Sequence, residues 1–522
     1  MSDITTEGSS SEGNAEQKQG VSARVAAWFD TRLGLSYQLL RPAPQYSINP
    51  FYWLGALATV AFVIQGVTGG IMMLYYIPNP TQAYPTTQYI FQDVSYGTFL
   101  ETVHLYTAYA MIMLAFMHMM RGYFVSVHKK PRELMWVTGM VMGFVTLGFG
   151  FTGYLLPWTV VSKSATDVGL GMLGSLPQPV ASFLTFLVVG SGTDASTLLR
   201  FYDLHVFLLP AVLLLLLVVK MYMLEAHGIS EPTSGTASLS QKKRRLVPIF
   251  PEVSFYLFEL AAIFGSAVFL VSVIFPLTLP PEYSAAVAGQ YVSQPDWYFL
   301  WIYQIIKISA FEEAGLPVAL SAVTLVFLAL VLLPFIDRGK TRSIRDRGVY
   351  MTLGTVFVAE VAVLAIWGYL TPGVIIPNEQ AALVLGGTAL LVSLGSVVAY
   401  KLVFGGLRGF AFRGRGGEGA GPVRAATQVA PSSMFPRSAA IWTMGAFVAL
   451  LVSGAFFIGS TIDAMVALAL GGTSLADLSS LAISLGGLSL TVAGTVYLLY
   501  RLDLGSGTIR RRVRAFEVGW RG

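Results

Sequence analysis

The chain has 522 residues, of which 54% are hydrophobic and 12% are charged, and its formal net charge is +5. Soluble globular proteins of this length are far less apolar, so the composition predicts a protein that crosses a membrane many times. The sequence contains no cysteine, which excludes disulfides, thiolate-ligated iron–sulfur clusters and covalently attached c-type haem. The modest net charge gives no indication of nucleic-acid binding.

Residues 1–20 are polar and lack an apolar core, so we expect a disordered cytoplasmic tail over 1–26 and not a signal peptide. Ten apolar segments of spanning length follow, which predict an all-α polytopic membrane protein: 50–77, 99–123, 134–156, 200–224, 253–276, 317–336, 348–370, 380–403, 438–459 and 479–500. If all ten cross the bilayer, the five Lys/Arg clusters fall on one side: 121–132, 242–245, 338–347, 408–415 and 510–514. The positive-inside rule then predicts a multi-pass protein of the cell (plasma) membrane with both termini in the cytoplasm.

Two changes of composition divide the chain. A polar, basic linker over 229–249 follows a four-helix part at 27–228, and a Gly/Arg-rich linker over 405–437 follows further helices at 250–404. Two extra helices and a basic tail remain at 438–522. Small residues in the last two helices favour close helix packing but identify no partner.

The second predicted helix contains His104 and His118, fourteen residues apart in ETVHLYTAYAMIMLAFMHMMRGY. This is nearly four helical turns, so both imidazoles face the same way, about 21 Å apart along the axis. In the fourth helix, His205 lies at the depth of His104, and Lys220 lies fifteen residues further on, opposite His118. A histidine inside the membrane is costly unless it has a ligand or a partner.

Ligation of an iron porphyrin by two imidazoles accounts for the depth, facing and scarcity of these histidines. Hydrogen bonds between the helices are the alternative. Two haems about 20 Å apart would form an electron path across the bilayer. The segment GVTGG at 66–70, which includes Gly69, would let a flat macrocycle approach the backbone of the first helix.

Four further motifs resemble cytochrome b of the quinol–Rieske oxidoreductases, over roughly residues 27–375: KKPRELMWVTG at 129–139, GFTGYLLPW at 150–158, STLLRFYDLH at 196–205 and QPDWYFLWIYQI at 294–305. The sequence is most similar to the split form of photosynthetic membranes, cytochrome b-six with its subunit four, here fused. The resemblance implies a respiratory cytochrome b subunit of archaeal type, with quinol oxidised at the outer face.

The resemblance also implies how the electrons and protons move. One electron would go to a Rieske iron–sulfur protein and the other through two haems to the inner face, with proton translocation. The implied partners are the Rieske protein, terminal oxidase or cytochrome subunits, lipid and a second copy of the chain. Two alternatives stay open: a subunit of a terminal oxidase supercomplex with a degenerate inner haem and quinone site, and a non-redox scaffold or transporter derived from this fold.

The family's PEWY motif borders the outer quinol pocket, and here it reads PDWY, formed by Pro295, Asp296, Trp297 and Tyr298. A quinol that loses two electrons must also lose two protons, so Asp296 is the candidate general base, with Tyr298 beside it. A carboxylate in an outer turn is the alternative. The motif GYLLPW would form another wall of the pocket with Gly153, Pro157 and Trp158.

The inner ligand pair departs from the family, because Lys220 stands where the family has its fourth haem-ligating histidine. A lysine amine binds iron only when neutral, which burial favours. Three alternatives stay open: ligation by His118 and Lys220, a five-coordinate iron or one ligated by Met221 or water, and no inner haem with Lys220 extending to the inner surface. Arg121 matches the family's basic position near the inner haem.

The outer haem site departs as well. Glu101 replaces an arginine that meets a haem propionate, so the outer haem would be turned, protonated or chemically different. Modified a-type haems, as in archaeal terminal quinol oxidases, stay possible beside b-type haem. Trp53 stands where the photosynthetic form has the cysteine for a third haem, which we expect to be absent.

Two other titratable groups lie on the inner side. Glu225 and His227 are candidates for proton delivery to an inner quinone, with a solvated helix end as the alternative. His128, next to Lys129 and Lys130, is interpreted as surface charge.

Overall fold

The computed structural model describes residues 42–176, 178–190, 194–230, 246–292, 294–339 and 341–404. The predicted tail, most of the first linker, the second linker and the last two predicted helices lie outside these residues.

Helices make up most of the described chain, so the prediction of an all-α fold is confirmed. In order, the elements are β1 (Pro42–Pro44), α1 (Leu54–Met72), α2 (Ala83–Gln92), α3 (Gly97–Phe124), α4 (Glu133–Leu155), α5 (Val160–Gly174), α6 (Val180–Val188), α7 (Asp194–His227), β2 (Leu246–Pro248), α8 (Ser254–Ile274), α9 (Ala285–Ala288), α10 (Leu300–Ile306), α11 (Ser309–Ala314), α12 (Leu316–Val331), α13 (Leu333–Ile336), α14 (Gly348–Leu370) and α15 (Asn378–Phe404).

Seven of these helices are long and apolar enough to cross a membrane: α1, α3, α4, α7, α8, α14 and α15. The sixth predicted span, 317–336, is present as α12 and α13 with a break at Leu332. Pro334 accounts for the break, because proline lacks the amide hydrogen and its ring clashes with the preceding turn. The total of ten spans stays a prediction.

Two compact units are present. Of the described residues, one contains 42–48 and 246–259, where β1 pairs antiparallel with β2, with Ala43 opposite Val247. The other contains the described residues between 49 and 230 and between 260 and 404, which include the helices of the four-helix part.

In the second unit, α1 packs along α3 and α4 packs along α7. Gly228 ends α7 with a φ of +67°, a conformation that favours glycine. An apolar cluster with Ala61, Met111 and Leu213 at its centre joins α1, α3 and α7. Met111 stands midway between His104 and His118 in the sequence, so this cluster forms an apolar layer between the two predicted ligand levels.

The interpretation of His128 as surface charge is wrong, because the side chain is fully buried. Its Nε2 lies 3.0 Å from Asp337, which also accepts a hydrogen bond from Lys129 at 2.9 Å and one from Arg347. Burial alone would raise the pKa of Asp337, but the bonds from His128 and Lys129 and the charge of Arg347 outweigh it and lower that pKa. The network therefore ties the turn after α3 to the segment between α13 and α14.

Candidate functional site

The outer pair consists of His104 on α3 and His205 on α7, which lie next to each other. The two ring centroids are 6.3 Å apart and the ring planes are inclined by 61°. Imidazole nitrogens lie about 2.0–2.1 Å from a metal that they bind, so two rings that share one metal have centroids roughly 6 Å apart. The observed separation therefore leaves room for one iron between the rings.

A threonine fixes the orientation of each outer histidine. Thr68 Oγ1 lies 2.8 Å from Nδ1 of His104, and Thr152 Oγ1 lies 3.1 Å from Nδ1 of His205. Each threonine donates its own hydroxyl hydrogen to a helix carbonyl, that of Ile64 or of Gly148. The threonine oxygens therefore accept from Nδ1–H, which leaves Nε2 with a free lone pair for a metal.

The inner pair is built differently. His118 and Lys220 are close enough to interact electrostatically, and Arg121 also acts on His118. The buried Nδ1 of His118 has no hydrogen-bond partner within the described ranges. Arg121 lies over the ring of Tyr52, 3.9 Å from its centroid. The structure thus brings together the predicted inner residues, but without the threonine contact of the outer pair.

A glycine faces each of the four candidate ligands. A Cβ added to the glycine would lie 2.5 to 3.2 Å from the ligand side chain, closer than ordinary van der Waals contact in every case: Gly69 against His104, Gly153 against His205, Gly55 against His118 and Gly139 against Lys220. Lys220 has the same glycine contact as the three histidines, so it occupies an equivalent position in the bundle.

Local helix geometry reconciles two unequal spacings. The two candidate ligands of α3 are fourteen residues apart, whereas those of α7 are fifteen apart. His205 lies in a π-helical turn, Leu204–Leu208. Such a turn accommodates one additional residue in an otherwise regular helix, and π turns are frequent at functional sites. The additional residue lets both side chains of α7 face α3.

The candidate general base Asp296 lies in the loop before α10 and is half-buried. Its Oδ2 accepts a hydrogen bond from the Tyr109 hydroxyl at 2.8 Å, and its Oδ1 accepts one from the Trp297 amide at 2.9 Å. Burial raises the pKa of Asp296, and the two hydrogen bonds partly oppose that shift. A raised pKa makes the carboxylate a better proton acceptor.

The rest of the PDWY motif packs on the end of α4. Tyr298 is buried, and a Cβ on Gly150 would lie 2.8 Å from its hydroxyl oxygen. Pro157 lies half-buried in the turn after α4, and Trp158 follows it with a φ of +53°. The buried Trp158 ring contacts Tyr283, with centroids 6.4 Å apart. The two predicted walls therefore adjoin, since Tyr298 and Phe299 contact Gly150 and Phe151 near the end of α4.

The remaining predicted residues have the following positions. Gly153, predicted as a wall of the quinol pocket, lies against His205. Glu101 is half-buried one turn before His104 and acts electrostatically on Tyr76. Glu225 and His227 are exposed at the end of α7.

Sequence reasoning missed the threonines, three of the glycines and Tyr109. A signal for the glycines was present, because Gly55 and Gly69 are fourteen residues apart, as are Gly139 and Gly153. This repeats the spacing of the histidines in α3. No comparable signal indicated Tyr109.

The residues present fit iron held by a porphyrin. Within the described ranges, no group of three His, Asp or Glu side chains could hold a bare metal ion. His104 and His205 would instead hold a haem iron through their imidazoles, and the glycine at each contact would leave space for a flat macrocycle. The inner pair offers one imidazole and one amine in the same arrangement.

Comparison with known families supports this interpretation. The family model "Cytochrome b/b6/petB" matches residues 41–228, and "Cytochrome b(C-terminal)/b6/petD" matches residues 291–384. The two matches cover the four-helix part and the PDWY loop with the helices that follow.

Individual relatives extend the match. The chain is 32% identical to a cytochrome bc complex cytochrome b subunit of Chlorobaculum thiosulfatiphilum, over 60% of this chain and 74% of the relative. It is 30% identical to a cytochrome b of Sulfolobus acidocaldarius, over 73% and 71%. A cytochrome b6 of Heliobacterium mobile is 41% identical over 37% of this chain and 90% of the relative.

A solved structure titled "Hyperthermophilic respiratory Complex III" has a similar fold. Its TM-score is 0.56 at 24% sequence identity, and the match covers 72% of this chain and 94% of the other. At this identity, the likeness supports the fold alone.

Proposed function

Because the chain belongs to the cytochrome b/b6 family, we propose that it is the haem-carrying, quinol-oxidising membrane subunit of a respiratory bc-type complex. The observation that carries the proposal is the set of four ligand positions on two levels, each facing a glycine.

His104 and His205 would hold the outer haem, with Thr68 and Thr152 fixing the histidine rings. His118 and Lys220 would hold the inner haem, with Arg121 nearby. Bound haem iron supplies one-electron redox chemistry, of b-type or modified a-type, depending on the macrocycle. The bundle residues would supply the iron ligands, the space beside the glycines and the apolar layer between the two levels.

Quinol would bind at the outer face, in the pocket between the end of α4 and the PDWY loop. Asp296 would accept a proton from a quinol hydroxyl, and Tyr298 and Trp158 would line the pocket. Water exclusion by the buried aromatic rings strengthens the hydrogen bonds of the carboxylate. At the inner face, Glu225 and His227 would deliver protons to a quinone.

The partners follow from what this chain lacks and from its charge. A Rieske cluster needs two cysteines, so this cysteine-free chain requires a separate iron–sulfur protein as acceptor of the first electron. Terminal oxidase or cytochrome subunits would take the electrons onward, and a second copy of the chain would complete a dimer. The distribution of the Lys/Arg clusters supports a topology in which both termini would lie in the cytoplasm and the helices in the plasma membrane.

A pyridine haemochrome spectrum with a haem-to-protein ratio tests the proposal. Two haems per chain are expected, and no haem absorption would refute it. Replacing Lys220 with alanine should remove or alter only the inner haem, whereas Lys220→His should keep it with a bis-imidazole spectrum. Retention of both unaltered haems in the alanine variant would exclude Lys220 as a ligand.

A second candidate is a quinol-oxidising subunit in a terminal oxidase supercomplex, with a degenerate inner site. Lys220 and the unpaired Nδ1 of His118 favour this form, because both weaken the inner ligand set. An inner-site quinone inhibitor distinguishes the two forms. It changes haem reduction in the first and has no effect on it in the second.

A further inference from the structure

The Asp296 carboxylate depends on a residue from another part of the fold. Tyr109 belongs to α3, five residues after His104, and its hydroxyl donates to Oδ2 at 2.8 Å. Within the described residues, the other hydrogen bond to this carboxylate is local, from the amide of the next residue, Trp297, to Oδ1. Tyr109 lies outside the four motifs that carry the family resemblance, so nothing in those motifs accounts for the contact.

The ring of Tyr109 is held by aromatic neighbours. Its centroid lies 6.1 Å from that of Trp297 at an interplanar angle of 80°, and 6.4 Å from that of Tyr298 at 59°. A side chain enclosed in this way keeps one rotamer, so its hydroxyl has a fixed direction. The fixed hydroxyl in turn restrains the carboxylate that it contacts.

Among the residues that the structure describes, the groups that act on Asp296 are tyrosines and backbone. Tyr109 faces it from α3, Tyr154 from α4 and Tyr298 from its own loop, and the Trp297 amide binds it. Of these, Tyr109 is the side chain that donates a hydrogen bond to the carboxylate. A donated hydrogen bond favours the ionised carboxylate, whereas burial disfavours it.

We propose that Tyr109 is the positioning residue of the quinol-oxidising pocket, which holds the Asp296 carboxylate in place to receive a quinol proton. The inference rests on the proposed function. In this step a quinol O–H bond breaks and an O–H bond forms on Asp296, while one electron goes to the iron–sulfur protein. Tyr109 itself neither gains nor loses an atom.

Tyr109 matters because the side chain of Asp296 is short. Aspartate has one methylene less than the glutamate of the family motif, so its carboxylate reaches less far from the loop. Restraint by a helix of the haem-binding bundle keeps this shorter carboxylate at a defined position, which is what an efficient proton transfer requires.

Tyr109→Phe in the assembled complex, in native membranes, tests the inference. The substitution removes the hydroxyl and keeps the ring. Steady-state quinol oxidation measured from acid to alkaline pH should show kcat reduced about tenfold and the acid limb moved up by roughly one pH unit. The KM for quinol should change little, because the hydroxyl is bonded to Asp296.

Tyr106→Phe is the matched control. Tyr106 lies one turn earlier on α3, and its hydroxyl donates to the carbonyl of Phe275 and not to Asp296. This variant should keep the kcat and acid limb of the unmodified protein. The haem spectrum of both variants checks that they assemble.

The possible results distinguish a failure of the proposed function from a failure of the role of Tyr109. If the unmodified complex oxidises no quinol, the proposed function is refuted. If it does, and Tyr109→Phe keeps its kcat and acid limb, only the role of Tyr109 is refuted. A Tyr109→Phe protein that loses haem or fails to assemble also overturns it, because the residue then acts through the fold.

Discussion

Replacing Gly153 with alanine should remove or perturb the outer haem and spare the inner one. A Cβ at this position would lie 2.5 Å from Cε1 of His205, whereas carbon atoms pack at about 3.5–4.0 Å. The imidazole must therefore move by roughly 1 Å, which disturbs its contact with Thr152 and its position as an iron ligand. Overpacking of this kind costs about 1–3 kcal/mol.

The effect of Gly153→Ala is measured by the haem-to-protein ratio and by redox titration. One haem should be lost, or its midpoint potential shifted, while the other keeps its potential. Gly139→Ala, which acts on Lys220, should perturb the inner haem and spare the outer one. Its effect should be smaller, because the Cβ contact is 3.0 Å and not 2.5 Å.

Gly143→Ala provides the matched control for this experiment. Gly143 lies on the same helix, and a Cβ there would meet no other described atom within 4 Å. Alanine is favoured over glycine in a helix by about 0.5–1 kcal/mol, so this variant should keep both haems and unfold at a slightly higher temperature. Two unaltered haems in Gly153→Ala would refute the close contact with His205.

Three further predictions concern the residues that support these sites. Thr152→Val should weaken retention of the outer haem roughly 10–100-fold, measured as haem loss on dilution. Thr146→Val on the same helix should not weaken it, because the Thr146 hydroxyl bonds a helix carbonyl and no histidine. Asp337→Asn leaves buried cations without their counter-charge and should lower the free energy of unfolding by about 3–5 kcal/mol. Asp346→Asn, at an exposed position, should change it little, and equal melting temperatures of the two variants would contradict this prediction. Burial lowers the pKa of His128, so the folded protein binds fewer protons than the unfolded chain as the pH falls below about 6.5, and it loses stability there. The melting temperature of His128→Gln should decline less over the same pH range.

The apolar segments and the ligand helices could be predicted from the sequence, because both follow from local patterns. The predicted span 348–370 coincides with α14, and the predicted span 99–123 differs from α3 by two residues at one end and one at the other. Hydrophobic length determines such spans directly. The facing of His104 and His205 followed from depth and helical phase in the same way.

Contacts between distant segments could not be predicted, because no local pattern encodes them. Tyr109 and Asp296 are 187 residues apart in the sequence. His128 was interpreted as surface charge because lysines follow it, yet its burial depends on Asp337, 209 residues away. Gly153 belongs to a motif associated with the quinol pocket, but its missing side chain makes room for a histidine on another helix.

A redox titration of the haem absorption in the purified complex tests the central claim most directly. We expect two one-electron components of different midpoint potential, because an imidazole pair and an imidazole–lysine pair are unlike ligand sets. In Lys220→Ala, only one of the two components should change. A single component in the unmodified protein would contradict the presence of two haem sites. The absence of any haem absorption would contradict the proposal that this chain carries haem at all.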